Sequence, residues 1–94
     1  MSDEPALTCD GFDDAIIGVT VHQPGRQSVV VYDAVKMIEI LMQRDGMTYE
    51  DAEEFLSFNT WGAWVGAGTP VFVHHVPEGE PVAEFLCETF GEDA

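Results

Sequence analysis

The most constraining feature of the chain is the change of period at Asp33, where S-V-V-V-Y (28–32) gives way directly to A-V-K-M-I-E-I-L-M-Q-R (34–44). The first run is β-branched and suits a strand; the second carries apolar residues at helical spacing. Asp33 is placed to cap that helix through its side chain. A strand running straight into an apolar helix predicts a helix packed across the sheet it leaves. Within the helix, Val35, Met37, Ile38, Ile40, Leu41 and Met42 leave only a narrow polar stripe of Lys36, Glu39 and Gln43, so most of it is expected to be buried. Asp45-Gly46 ends it.

Upstream, A-I-I-G-V-T-V-H (15–22) reads as a first strand. It joins the second through Q-P-G-R-Q, in which Pro24 and Gly25 suit the centre of a type II turn. Downstream, Thr48 starts a second helix with Asp51 three residues on, close to a capping box. The expected buried face is Tyr49, Ala52, Phe55 and Leu56, and the outward face Glu50, Asp51, Glu53, Glu54 and Ser57. T-W-G-A-W-V-G-A-G-T-P (60–70) suits a close-packed connection, because three glycines interrupt it. P-V-F-V-H-H-V then reads as a third strand, bounded by Pro70 and Pro77. Glu80 to Phe90 forms a short amphipathic helix using Val82, Phe85, Leu86 and Phe90. The order is ββααβ with a C-terminal helix. The expected fold is α+β, a small antiparallel sheet of about three strands against two helices. Residues 1–10 read as a flexible acidic lead-in and residues 11–94 as a single domain.

Charge bears on what such a domain meets. Eighteen acidic residues face three basic ones, a net charge near −15. Acidic chains poor in apolar residues stay disordered; at 46% hydrophobic and 11% aromatic this one has enough apolar content to fold. Carboxylate self-repulsion costs stability, and added salt relieves it. A surface this negative repels nucleic acid and anionic lipid, which excludes direct contact with either, and is drawn to basic grooves. No basic n-region and no apolar run of about 18 residues is present, so neither export nor membrane insertion is expected. The expected location is the cytoplasm. There Cys9 and Cys87 are expected as thiols, not as a bridge.

Motifs for catalysis and cofactors are absent, and the expectation is a non-enzymatic protein with no cofactor and no metal. His74 and His75 are adjacent in a strand and point to opposite faces, so they share no ion easily. A site of His22, one of that pair and a carboxylate requires the first and third strands to be neighbours. Asp45-Gly46 does not open a calcium loop, since Leu41 and Ala52 would fill its first and twelfth positions. Gly62, Gly66 and Gly68 lack the lysine and hydroxyl of a phosphate cradle. Asp10, Asp13 and Asp14 form a loose acidic cluster of the kind that is usually solvated. Cys87, beside Leu86 on an apolar side, has no nucleophile signature around it.

Two features remain as candidate partner-binding elements. Glu50, Asp51, Glu53 and Glu54 share one helix surface with only Arg44 near in sequence, and with Glu84 and Glu88 of the closing segment they present charge of one sign. Such a row stands in for phosphates, which in duplex DNA recur at about one charge per 1.7 Å. Trp61 and Trp64 are of the residue type enriched in binding hot spots. The first reading is an inhibitor that occupies the basic, nucleic-acid-binding groove of another protein. The alternative is a structural or assembly protein, a homodimer joined through an aromatic patch of Trp61, Trp64 and Phe72.

The stretches V-V-Y-D (30–33), E-I-L-M-Q-R-D-G-M-T-Y-E-D-A (39–52), E-F (54–55) and F-N-T-W-G-A-W-V-G-A-G-T-P-V-F (58–72) resemble a family of small uncharacterised proteins encoded on bacteriophage genomes. The likeness covers roughly the middle half of the chain and leaves both acidic ends outside. It implies a phage or prophage source and action in the host cytoplasm, where small acidic proteins commonly bind and block host machinery, as DNA mimics and anti-CRISPR proteins do. It carries no functional residues over.

Overall fold

In the computed structural model, residues 5–91 are described. A short 3-10 turn, Asp13–Ala15, leads into β1 (Ile16–Val19). The chain turns back as β2 (Val30–Asp33), passes directly into α1 (Ala34–Asp45) and then α2 (Tyr49–Leu56), and adds β3 (Val71–Val73) and α3 (Val82–Phe90). A π-helical turn, Ser57–Trp61, extends α2. The strands are shorter than their apolar runs, because backbone pairing ends before the β-branched residues do.

Local chemistry explains where the elements begin. Asp33 Oδ1 accepts hydrogen bonds from the amides of Val35 (3.0 Å) and Lys36 (3.2 Å), satisfying donors that the first helical turn leaves open. Thr48 Oγ1 does the same for Asp51 at 3.1 Å. In the hairpin the Arg26 amide donates to the Gln23 carbonyl at 3.0 Å, and Gly25 takes φ +80°, as the third position of a type II turn demands.

The sheet corrects the sequence reading. Its order is β1-β2-β3, and β1 pairs with β2 antiparallel, but β3 pairs with β2 in parallel: Val31 faces Val71, Tyr32 faces Phe72 and Asp33 faces Val73. The sheet is therefore mixed, not antiparallel. The reason lies in the connection. Between β2 and β3 the chain runs through both helices and the turn beyond them, a crossover long enough to bring β3 in alongside β2 in the same direction. Strand propensity carries no information about which end of a neighbour a distant strand enters from.

The core forms where α1 and α2 meet the sheet. Tyr32, Met37, Ile38, Leu41 and Leu56 are fully buried, joined by Phe12, Ala15 and Ala52. Val35 and Met42 of α1 are exposed, as are Tyr49 and Phe55 of α2, although both pairs were expected inside. α2 covers only one side of α1, so a single stripe, Ala52 and Leu56 at i and i+4, reaches the core. Tyr32 also reaches outward: its hydroxyl accepts a hydrogen bond from the Cys9 amide at 2.6 Å. Nearby the Leu7 amide donates to the Gly68 carbonyl at 3.0 Å. Gly68 permits this approach, because a Cβ there would overlap the Pro5 carbonyl.

α3 is unlike the other helices. It buries none of its residues and packs closely on no other element. The radius of gyration, 15.0 Å, exceeds the about 12 Å of a compact chain of this length.

Candidate interaction surface

α2 presents its acid as the local pattern requires. With Ala52 and Leu56 turned to the core, Glu50, Asp51, Glu53 and Glu54 all lie on exposed positions. At 1.5 Å per residue they span about 6 Å of axis, about one carboxylate every 2 Å. That is close to the about 1.7 Å per charge of duplex DNA. Glu50 and Asp51 sit in the first turn, where the helix N-terminus favours negative charge; Glu53 and Glu54 lie beyond that help.

The cation nearest in sequence is spent elsewhere. Arg44 extends its guanidinium to the Gly11 carbonyl (3.1 Å), to Asp45 (3.3 Å), and over the Phe12 ring at 5.3 Å. Among the described residues Arg44 pairs with Asp45, and His75 Nε2 lies 3.3 Å from Asp33 Oδ2; neither contact touches an α2 carboxylate. Pairing at these exposed sites is worth little in any case. The α2 row is left as one-signed charge.

α3 carries a second row. Glu84 and Glu88, the partner-binding candidates on this helix, are exposed; Glu80, just before the helix begins, lies within reach of both. The Glu80 carboxyl is held above the ordinary carboxylate range, first by desolvation and then by the charge of Glu88, with a hydrogen bond to Glu88 and the charge of Glu84 adding. The spacing of four was the signal in the sequence that finds Glu80.

The two tryptophans separate. Trp61 is half-buried, its ring edge-on to His74 at 6.2 Å, and it lines a cavity of about 350 Å³ with Ala34 and Phe72. Phe72 stacks on Tyr32 at 5.6 Å. Trp64 is 77% exposed and faces a different groove, beside Val21 and Val29 of the hairpin. The three aromatics of the expected patch are not one patch. His22 and His74 are not brought together by the sheet either, since β1 and β3 lie on opposite sides of β2. Among the described residues no group of three or more His, Cys, Asp or Glu side chains is placed to hold a metal ion.

Both cysteines are free thiols, Cys9 half-buried and Cys87 exposed. Burial pushes the Cys9 thiol up, against a smaller lowering by its hydrogen bond with Tyr32, and so favours the protonated form that is a poor nucleophile. No described helix is long and apolar enough to cross a membrane. No protein-family model matches the chain, and neither a curated protein nor a solved structure is similar to it.

Proposed function

We propose that this is a non-enzymatic binding protein of phage origin whose α2 face occupies a basic, nucleic-acid-binding groove of a host protein and blocks it, in the manner of a DNA mimic or an anti-CRISPR inhibitor. The observation that supports the reading is the row Glu50, Asp51, Glu53 and Glu54: exposed, spaced about like duplex phosphate charge, and in no ion pair among the described residues. Glu84 and Glu88 add charge of the same sign on α3. The likeness of the central stretch to phage-encoded proteins supplies the setting, the host cytoplasm.

The test is competitive capture. Immobilised protein is exposed to a bacterial lysate at low salt, and bound proteins are eluted with duplex DNA and, separately, with a salt gradient. A nucleic-acid-binding protein displaced by DNA, and retained neither by the Glu50→Lys, Asp51→Lys, Glu53→Lys, Glu54→Lys variant nor fully by its Gln/Asn counterpart, is the expected result. Retention of the same proteins by wild type and both variants excludes α2 as the binding face.

A further inference from the structure

Two stretches of the chain, residues 15–32 and 55–77, contain no Asp or Glu, although acid makes up 18 of the 94 residues. The fold lays them side by side. The first comprises β1, the hairpin and most of β2; the second includes β3, which pairs with β2. Between the hairpin and the segment running into β3 lies a groove of about 460 Å³ lined by Val21, Val29, Trp64 and Val71, with Arg26. None of the described residues lining it is acidic.

This face sets exposed apolar side chains among Thr20, Gln23, Arg26, Gln27 and Thr69, and it is open. Val21 is 82% exposed, Val19 69% and Trp64 77%. β1 is an outer strand of the sheet. Neither it nor the residues that continue it to Gln23 carry the Lys, Arg, Asp, Glu or proline that usually blunts such an edge. The bulge between Ile16 and Gly18 interrupts only its entry.

We infer that this face is the contact surface for a second copy of the chain, in a two-fold dimer. In an isologous interface each patch meets itself, so every acidic side chain within it is brought towards its own copy. A chain near −15 repels itself over its acidic helices, and the surface on which two copies can close is the one cleared of acid. A basic partner would select the opposite, acid at the contact. The area is of the right order: Trp64, at 77% exposure of about 250 Å², offers about 190 Å² of the roughly 800 Å² each side of a stable interface buries. Val21 and Val71, which line the same groove, and Val19 beside them extend it. No α2 residue lines this groove, so the inference stands independently of what α2 binds.

The experiment is sedimentation equilibrium of the full chain at roughly 0.05 M and about 0.5 M NaCl, concentrations that shrink the screening length severalfold. The expected species has twice the 10.3 kDa chain mass, with a dissociation constant that tightens with salt as protomer repulsion is screened. Val21→Asp and Trp64→Ala are to be measured separately. Both side chains are largely exposed, so an unchanged circular dichroism spectrum is expected, with dimer affinity reduced at least about tenfold. Phe90→Asp, on α3, is expected to leave the dimer intact. A wild-type monomer at both salt concentrations overturns the inference. So does a dimer that folded Val21→Asp and Trp64→Ala leave unchanged, or one that Phe90→Asp dissociates while they do not.

Discussion

The α2 face and the hairpin–Trp64 face are opposites built on one core. α2 is held by two small footholds, Ala52 and Leu56, and turns every carboxylate outward; the hairpin groove has no acid among the described residues that line it and leaves Val21 and Trp64 open. Both depart from an ordinary surface, which mixes charges of both signs with scattered apolar groups. Charge on this chain has been sorted, not just accumulated. Six of the eighteen carboxylates lie on α2 and α3, where they strengthen a field that basic surfaces feel, and none of the described residues lining the hairpin–Trp64 groove is acidic, which leaves a place where an apolar contact does not have to overcome repulsion.

The largest test of that contrast is to weaken the foothold of one side. Leu56→Ala removes a fully buried side chain at the α1–α2 contact and is expected to cost about 2–5 kcal/mol in denaturant unfolding. Circular dichroism follows the helices, and fluorescence follows Trp61 and Trp64. Coincident transitions mean that both faces belong to one cooperative unit; a separate early loss of helix signal means that α2 comes away alone and the two faces are independent.

A smaller effect sharpens the electrostatic half. Raising ionic strength from low to moderate is expected to stabilise the wild type by about 1 kcal/mol, a rise of about 4–8 °C in melting temperature for a domain of this size. The four lysine substitutions on α2 each change the charge by two, taking −15 to −7, and should shrink that rise. A melting temperature that is flat with salt would mean that the carboxylates are too well solvated to repel one another.

The smallest concerns Glu80. Its pKa is raised in the folded chain, so over the window between its ordinary value and the raised one the folded state holds more protons than the unfolded state. Stability therefore falls as pH rises through that window, and the penalty is absent below it. Glu88→Gln removes the neighbouring charge, second in weight to desolvation, and should move the Glu80 titration measured by NMR back towards the ordinary range. An unmoved titration would show that Glu88 plays no part in holding it.

Much of the fold was legible because it rests on chemistry within a few residues. Asp33 and Thr48 cap the helices that follow them, and Gly25 takes the turn that Pro24-Gly25 announces. The acidic row of α2 was legible for the same reason, since Ala52 and Leu56 define a helix face and the carboxylates fall opposite it. Other features were hidden. Arg44 lies close in sequence to α2 yet spends its guanidinium on Gly11 and Phe12. Trp61 and Trp64 are three residues apart yet face different cavities, because the helical turn ends between them.

By itself, then, the sequence determined the kinds of element, their caps, the apolar seam of α1 and the excess of negative charge, all properties set by neighbours along the chain. Only the tertiary structure decided that β3 runs parallel to β2, that Tyr49 and Phe55 stay outside while α3 buries nothing, and that the two acid-free stretches come together around one groove. The physical reason is range: capping and periodicity act over one to four residues, whereas strand direction and surface segregation depend on which distant segments the core draws together.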